Sequence, residues 1–147
     1  MKKRTFFFVL LSVLILSLTA CGNDAIKIEE YEWKMQTVMS NDIELADSDA
    51  VVLAVGEQDE LYPDAKIVDL TLVAKDGKLT ITDSTNNETY NGTYSVEDTT
   101  PDGTNYKVTI DGKEGFATVA MTEYTEGDDE PTLPINLGDY TLYFYQK

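Results

Sequence analysis

The chain has 147 residues, with 27 acidic against 11 basic side chains, no histidine and a single cysteine. A formal charge of −16 repels nucleic acid and anionic headgroups, which are held by clustered Lys and Arg. The absent histidines and the lone cysteine exclude an intrachain disulfide, His/Cys metal sites and the commonest general base.

The first residues read as an export signal. Lys2, Lys3 and Arg4 form a basic start, Phe6 to Leu16 is an almost unbroken apolar run, and Leu18-Thr19-Ala20-Cys21-Gly22 closes it. Positive charge stays inside, a short apolar core enters the translocon, and small residues precede the cut. That core is about a dozen residues, short of the roughly 20 that a permanent spanning helix requires. The closing element resembles the lipobox of bacterial lipoproteins, in which the cysteine sulfur receives a diacylglyceryl group and cleavage leaves that cysteine first. The resemblance implies a signal peptide over 1–20, lipidation at Cys21, a lipidated tether over 21–30 and one domain over 31–147. It also implies a partner, the membrane, and a place, the extracytoplasmic face of the cell membrane. Several acyl chains at about 0.8 kcal/mol per buried methylene make a durable anchor. Beyond the signal no arginine remains, and eight lysines face 27 acids, a net charge of −19.

The domain is expected to be all-β. Residues 31–39 alternate, with Trp33, Met35, Thr37 and Met39 on one face. Residues 51–55 are apolar on both faces, as in a covered strand, and Gly56 to Asp64 is a polar connection. Val68, Leu70 and Leu72 lead into Asp76-Gly77, after which Leu79 and Ile81 alternate with threonines. Asp-Gly tolerates the positive φ of a type I′ turn, so this is a hairpin. Asn86-Asn87 makes the next reversal before Tyr90, Gly92, Tyr94 and Val96; Pro101-Asp102-Gly103 makes another before Tyr106, Val108 and Ile110. After Asp111-Gly112, Ala117, Val119 and Met121 share one face, and 125–131 is expected to be an acidic loop. Leu133, Ile135 and Leu137 meet Tyr140, Leu142 and Phe144 through Gly138-Asp139. Short reversals make sequence neighbours sheet neighbours. An antiparallel up-and-down meander of this kind removes its edges by closing into a barrel of about eight strands; a two-sheet sandwich is the alternative.

Four elements carry a further likeness: Tyr31-Glu32-Trp33-Lys34-Met35, Asp76-Gly77-Lys78-Leu79-Thr80-Ile81, Tyr90-Asn91-Gly92-Thr93-Tyr94-Ser95-Val96 and Gly138-Asp139-Tyr140-Thr141-Leu142-Tyr143-Phe144. Together, over 31–147, they resemble the small lipocalin-like (calycin-type) lipoproteins of Gram-positive (Firmicutes) bacteria. Two departures stand out: Tyr31-Glu32 replaces the glycine usual before that tryptophan, and a longer acidic insert follows the second strand. The resemblance implies a lipocalin-like barrel and assigns no activity, because fold alone does not dictate function.

Trp33 is expected on the buried face, as a core plug or as a pocket wall. Nine tyrosines accompany only two phenylalanines after the signal. Tyr90, Tyr94, Tyr106 and Tyr140 fall in phase with core positions and are candidate pocket residues; Tyr143 and Tyr145 lie on the opposite face as a candidate contact surface for glycan or protein. Asp128, Asp129 and Glu130 are a weak calcium candidate, dense in oxygen ligands but lacking the EF-hand register. No cofactor is implied. A carboxylate pair is the one hydrolytic device left, and no spacing singles one out, so the chain reads as non-enzymatic. Two functions are expected from these features. One is an envelope module that contacts a protein or cell-wall polymer; the other is a carrier that takes a small apolar ligand in the barrel mouth.

Overall fold

The computed structural model describes residues 25–42, 54–58, 60–125 and 127–147. The export signal, Cys21, the 51–53 part of the second expected strand and Glu126 lie outside them.

Reversals with positive φ set the topology. Asp76 and Gly77 (φ 50° and 75°), and Asp111 and Gly112 (φ 49° and 79°), form the paired left-handed conformation of type I′ turns. Asn87 (φ 58°) and Gly138 (φ 87°) turn two further hairpins. The strands so joined are β1 (Glu32–Ser40), β2 (Ala54–Val55), β3 (Lys66–Ile67), β4 (Leu70–Lys75) and β5 (Lys78–Asp83). There follow β6 (Glu88–Thr100), β7 (Gly103–Ile110), β8 (Lys113–Thr125), β9 (Asp128–Asn136) and β10 (Tyr140–Gln146). Each of β4 to β10 pairs antiparallel with its sequence neighbour, β4 pairs with β1, and β10 closes on β1 with Met35 opposite Phe144. The result is a closed antiparallel barrel of eight strands, β1 and β4–β10, with meander topology, compatible with a lipocalin-like fold. The β10–β1 ladder rules out the two-sheet sandwich.

Alternating apolar residues fill the barrel. Trp33, Met35, Leu72, Leu79, Tyr106, Val119, Leu133, Ile135 and Phe144 are all at or below 2% exposure and belong to one contiguous cluster. Each such side chain contributes about 1.5–3 kcal/mol by leaving water, and with no disulfide this packing and the closed ladder carry the fold.

Residues 26–30, expected as part of the tether, lie against the barrel. Ile26 packs against the core, Ile28 is fully buried, and Ile28–Glu30 form a short 3-10 helix across one end of the barrel. That closed end also holds the 76–77 and 101–102 turns and the C-terminus, where the Lys147 N–H donates to the Glu32 carbonyl at 2.9 Å. The opposite end holds the 84–87, 111–112 and 138–139 turns and the end of β1. Asn41, just past β1, is tied down through its amide to the Gly138 carbonyl (2.7 Å) and its N–H to the Asp139 carbonyl (2.8 Å).

Three register slips occur among the described strands, one of them near the end of β8 between Glu123 and Thr125, and the other two break the expected alternation. In β1 the register slips between Met35 and Thr37, so Val38 rather than Thr37 meets the core and Met39 is 40% exposed. In β6 it slips between Val96 and Asp98, where the strand overruns the barrel and leaves Val96 60% exposed. The expected acidic loop is also corrected. Asp128 to Pro131 are the start of β9, paired with β8 through Glu123–Asp129, Thr122–Glu130 and Met121–Pro131. Pairing along β8 overrides the loop-like composition of that segment.

Candidate functional site

The sequence-singled residues separate into three places. Trp33 and Tyr106 are inside the barrel and act on the plug. The Trp33 Nε1–H donates to the Ile28 carbonyl at 2.9 Å, and the Ile28 N–H donates to the Tyr106 hydroxyl at 3.1 Å. Both backbone groups of a fully buried residue are thus satisfied by two aromatic side chains from distant strands, which an unpaired group in that place would make costly. Burial pushes the Tyr106 hydroxyl above its ordinary pKa. Tyr94, half-buried, stacks edge-on against Tyr106 at 5.7 Å and donates its hydroxyl to Glu29 of the plug. Burial and then the Glu29 carboxylate push its pKa up to about 12. Tyr31 closes the set edge-on to Trp33 at 5.4 Å.

The second place is the far end. Tyr90 is half-buried and donates its hydroxyl to Glu88, which raises its pKa. Tyr140, expected inward, is 38% exposed because it is the first residue of β10, just past the Gly138-Asp139 turn. The four candidate pocket tyrosines are therefore not assembled around one space: two serve the plug and two flank the opposite rim. Asp83 is buried here. Desolvation would raise its pKa, but the Asn86 amide (2.8 Å to Oδ2), with the Asn86 and Thr85 N–H groups, outweighs that and holds it below 3.8.

The third place is the outer wall. Tyr143 and Tyr145 are half-buried there, opposite Thr37 and Lys34 of β1 and Pro134 and Thr132 of β9. The segment 54–58 runs alongside β1 as a strap, β2 pairing antiparallel with it through Thr37–Val55 and Val38–Ala54. Thr37 Oγ1 donates to the Ala54 carbonyl (2.9 Å) and the Gly56 N–H to the Gln36 carbonyl (3.1 Å), while on its other side the Val68 N–H donates to the Val55 carbonyl (2.9 Å). Only glycine suits this close approach, because a Cβ on Gly56 would collide with the Met35 carbonyl. An ion pair from Lys34 to Glu57 completes it and raises the Lys34 ammonium above its ordinary pKa, against the opposing effect of burial. Between strap and wall lies a cleft of about 250 Å³ lined by Met35, Gln36, Val55, Glu57, Gln58 and Tyr145.

Sequence reasoning reached Tyr145 of this cleft and missed the rest. Gln36 stands about twenty residues from Glu57 and Gln58 and meets them only through the strap, and the one local signal was the glycine at 56. Asp128, Asp129 and Glu130 do not form a cage. They are consecutive strand residues, whose side chains alternate between the two faces of the sheet. Among the described residues no group of three or more Asp, Glu, His or Cys is placed to hold a metal ion.

Comparison with models of known protein families, with curated proteins and with solved structures returns no match to this chain.

Proposed function

We propose that this chain is a lipid-anchored extracytoplasmic module of the Gram-positive cell envelope, a lipocalin-like lipoprotein whose outer wall contacts another envelope component. The observation that carries this reading is the division of labour in the barrel. Its interior positions are taken by its own large side chains, while the cleft and two half-buried tyrosines sit outside. The anchor and the plug belong to the same end. Only Gly22, Asn23 and Asp24 stand between Cys21 and Ala25, a span of at most about 14 Å at roughly 3.5 Å per residue. A lipid on Cys21 would thus hold the plugged end near the bilayer, with the opposite rim turned away from it.

Mass spectrometry of the processed N-terminus tests the anchor: the reading expects a diacylglyceryl group on Cys21 and release of Cys21→Ser into the medium. The contact is tested by co-sedimentation with purified cell wall and envelope fractions. Binding lost in Tyr145→Ala supports it. An unacylated N-terminus, or no retention by any fraction at low and physiological salt, would remove it.

A further inference from the structure

The groups around the outer-wall cleft define what it can take. Among the described residues the one charge in its lining, Glu57, is already matched by Lys34, so neither an anion nor a cation finds a free counter-charge among them. Gln36 and Gln58 are exposed, and neither side-chain amide is engaged with another described residue. Each offers a carbonyl acceptor and an NH₂ donor, a pattern that matches vicinal hydroxyl and amide groups. Tyr145 adds a flat apolar face with a hydroxyl at its tip. At about 250 Å³ the space falls below the roughly 300–1,000 Å³ of drug-sized pockets, and suits a single ring. A peptide cannot add as an extra strand to β1 at the cleft, because β1 is paired with β10 on one side and with β4 and β2 on the other; the free edge of the sheet is that of β3, whose residues are not among those lining the cleft.

From these observations we infer that the cleft between the 54–58 strap and the β1–β10 wall is a subsite for one uncharged sugar ring of a glycan. This deepens the envelope-contact reading and rests on it only for the source of the glycan. The strap supplies Gln58, the barrel wall supplies Gln36 and Tyr145, and the Lys34–Glu57 pair sets the depth of the cleft by pinning one to the other. Val55 and the Met35 backbone form its floor.

The test uses the ¹⁵N-labelled full chain in detergent micelles, titrated with tetra-N-acetylchitotetraose, cellotetraose and trilysine, with the side-chain NH₂ resonances of Gln36 and Gln58 as reporters. A saturable shift of both resonances with at least one of the two oligosaccharides is expected. Tyr145→Ala should weaken that binding about tenfold by loss of the aromatic face. Gln58→Ala, an exposed change that leaves the barrel intact, should weaken it measurably, and Tyr140→Ala on the far rim should not. No saturable shift with either oligosaccharide, shifts with trilysine alone, or unaltered binding in both Tyr145→Ala and Gln58→Ala would overturn the assignment. The anchor plays no part in this experiment, so its failure is distinct from a failure of lipidation or of wall association.

Discussion

The plugged end and the strap are both built by a segment laid against the barrel, and they differ in what fastens them. At the plug, a fully buried isoleucine is gripped at N–H and C=O by Tyr106 and Trp33, within the main core. At the strap, a two-residue ladder, the Thr37 and Gln36 bonds and an ion pair hold 54–58 beside β1; Ala54 and Val55 are buried outside the main cluster, and Glu57 and Gln58 face solvent. Desolvated, mutually dependent contacts make the first part of the global fold. Few contacts outside the main core make the second able to lift locally without unfolding the barrel. The difference teaches where this molecule keeps its rigidity and where it can meet a partner.

The largest effect that would sharpen the contrast is at Trp33. Trp33→Ala removes a fully buried indole and the donor to Ile28, so a loss of about 3–5 kcal/mol of global stability is expected. Denaturant unfolding followed by circular dichroism measures it. A loss below about 1 kcal/mol would mean that the plug is not part of the cooperative unit.

A pH-dependent loss comes next. The Tyr94 pKa is raised from 10.0 to about 12 in the folded chain. The folded state therefore holds that proton more tightly than the unfolded state. Its contribution is fully present below pH 10 and disappears as the pH rises towards about 12. Thermal melts across that window should fall more steeply for the natural chain than for Tyr94→Phe, which has no proton to lose. Parallel slopes would detach Tyr94 from the plug.

The smallest effect is expected at the strap. Lys34→Met breaks an ion pair in which Glu57 is well exposed, and pairs of that kind change global stability by no more than about 1 kcal/mol. The change should nevertheless increase hydrogen exchange at Gly56 while leaving β5 untouched. A global loss comparable to that of Trp33→Ala would erase the contrast between the two regions.

Much of the barrel was legible because its turns demand particular residues. Asp76-Gly77, Asp111-Gly112 and Gly138-Asp139 each mark a reversal that requires positive φ, and the alternation between them assigns Leu79, Ile81, Val108, Val119 and Ile135 to the core. What could not be read there depends on contacts distant in sequence. Ile26 and Ile28 stand in a short polar stretch that resembles a tether until Tyr106, 78 residues away, is brought over it. The Met35/Thr37 bulge has no mark in the residues that make it, yet it shifts the inward position from Thr37 to Val38. Acids and prolines disguised the start of β9 as a loop, because its strand character comes from β8. The cleft was illegible for a related reason: its walls belong to segments that meet only where β2 pairs beside β1 and Gly56 approaches Met35 and Gln36.

Hydrogen exchange of the Trp33 indole against the Gly56 backbone amide tests the central claim, that a filled barrel is sealed by its plug while the strap opens on its own. The Trp33 Nε1–H should exchange only at the rate set by complete unfolding, and the Gly56 N–H should exchange orders of magnitude faster. Rapid exchange at Trp33 would show a wet or open interior and contradict the account.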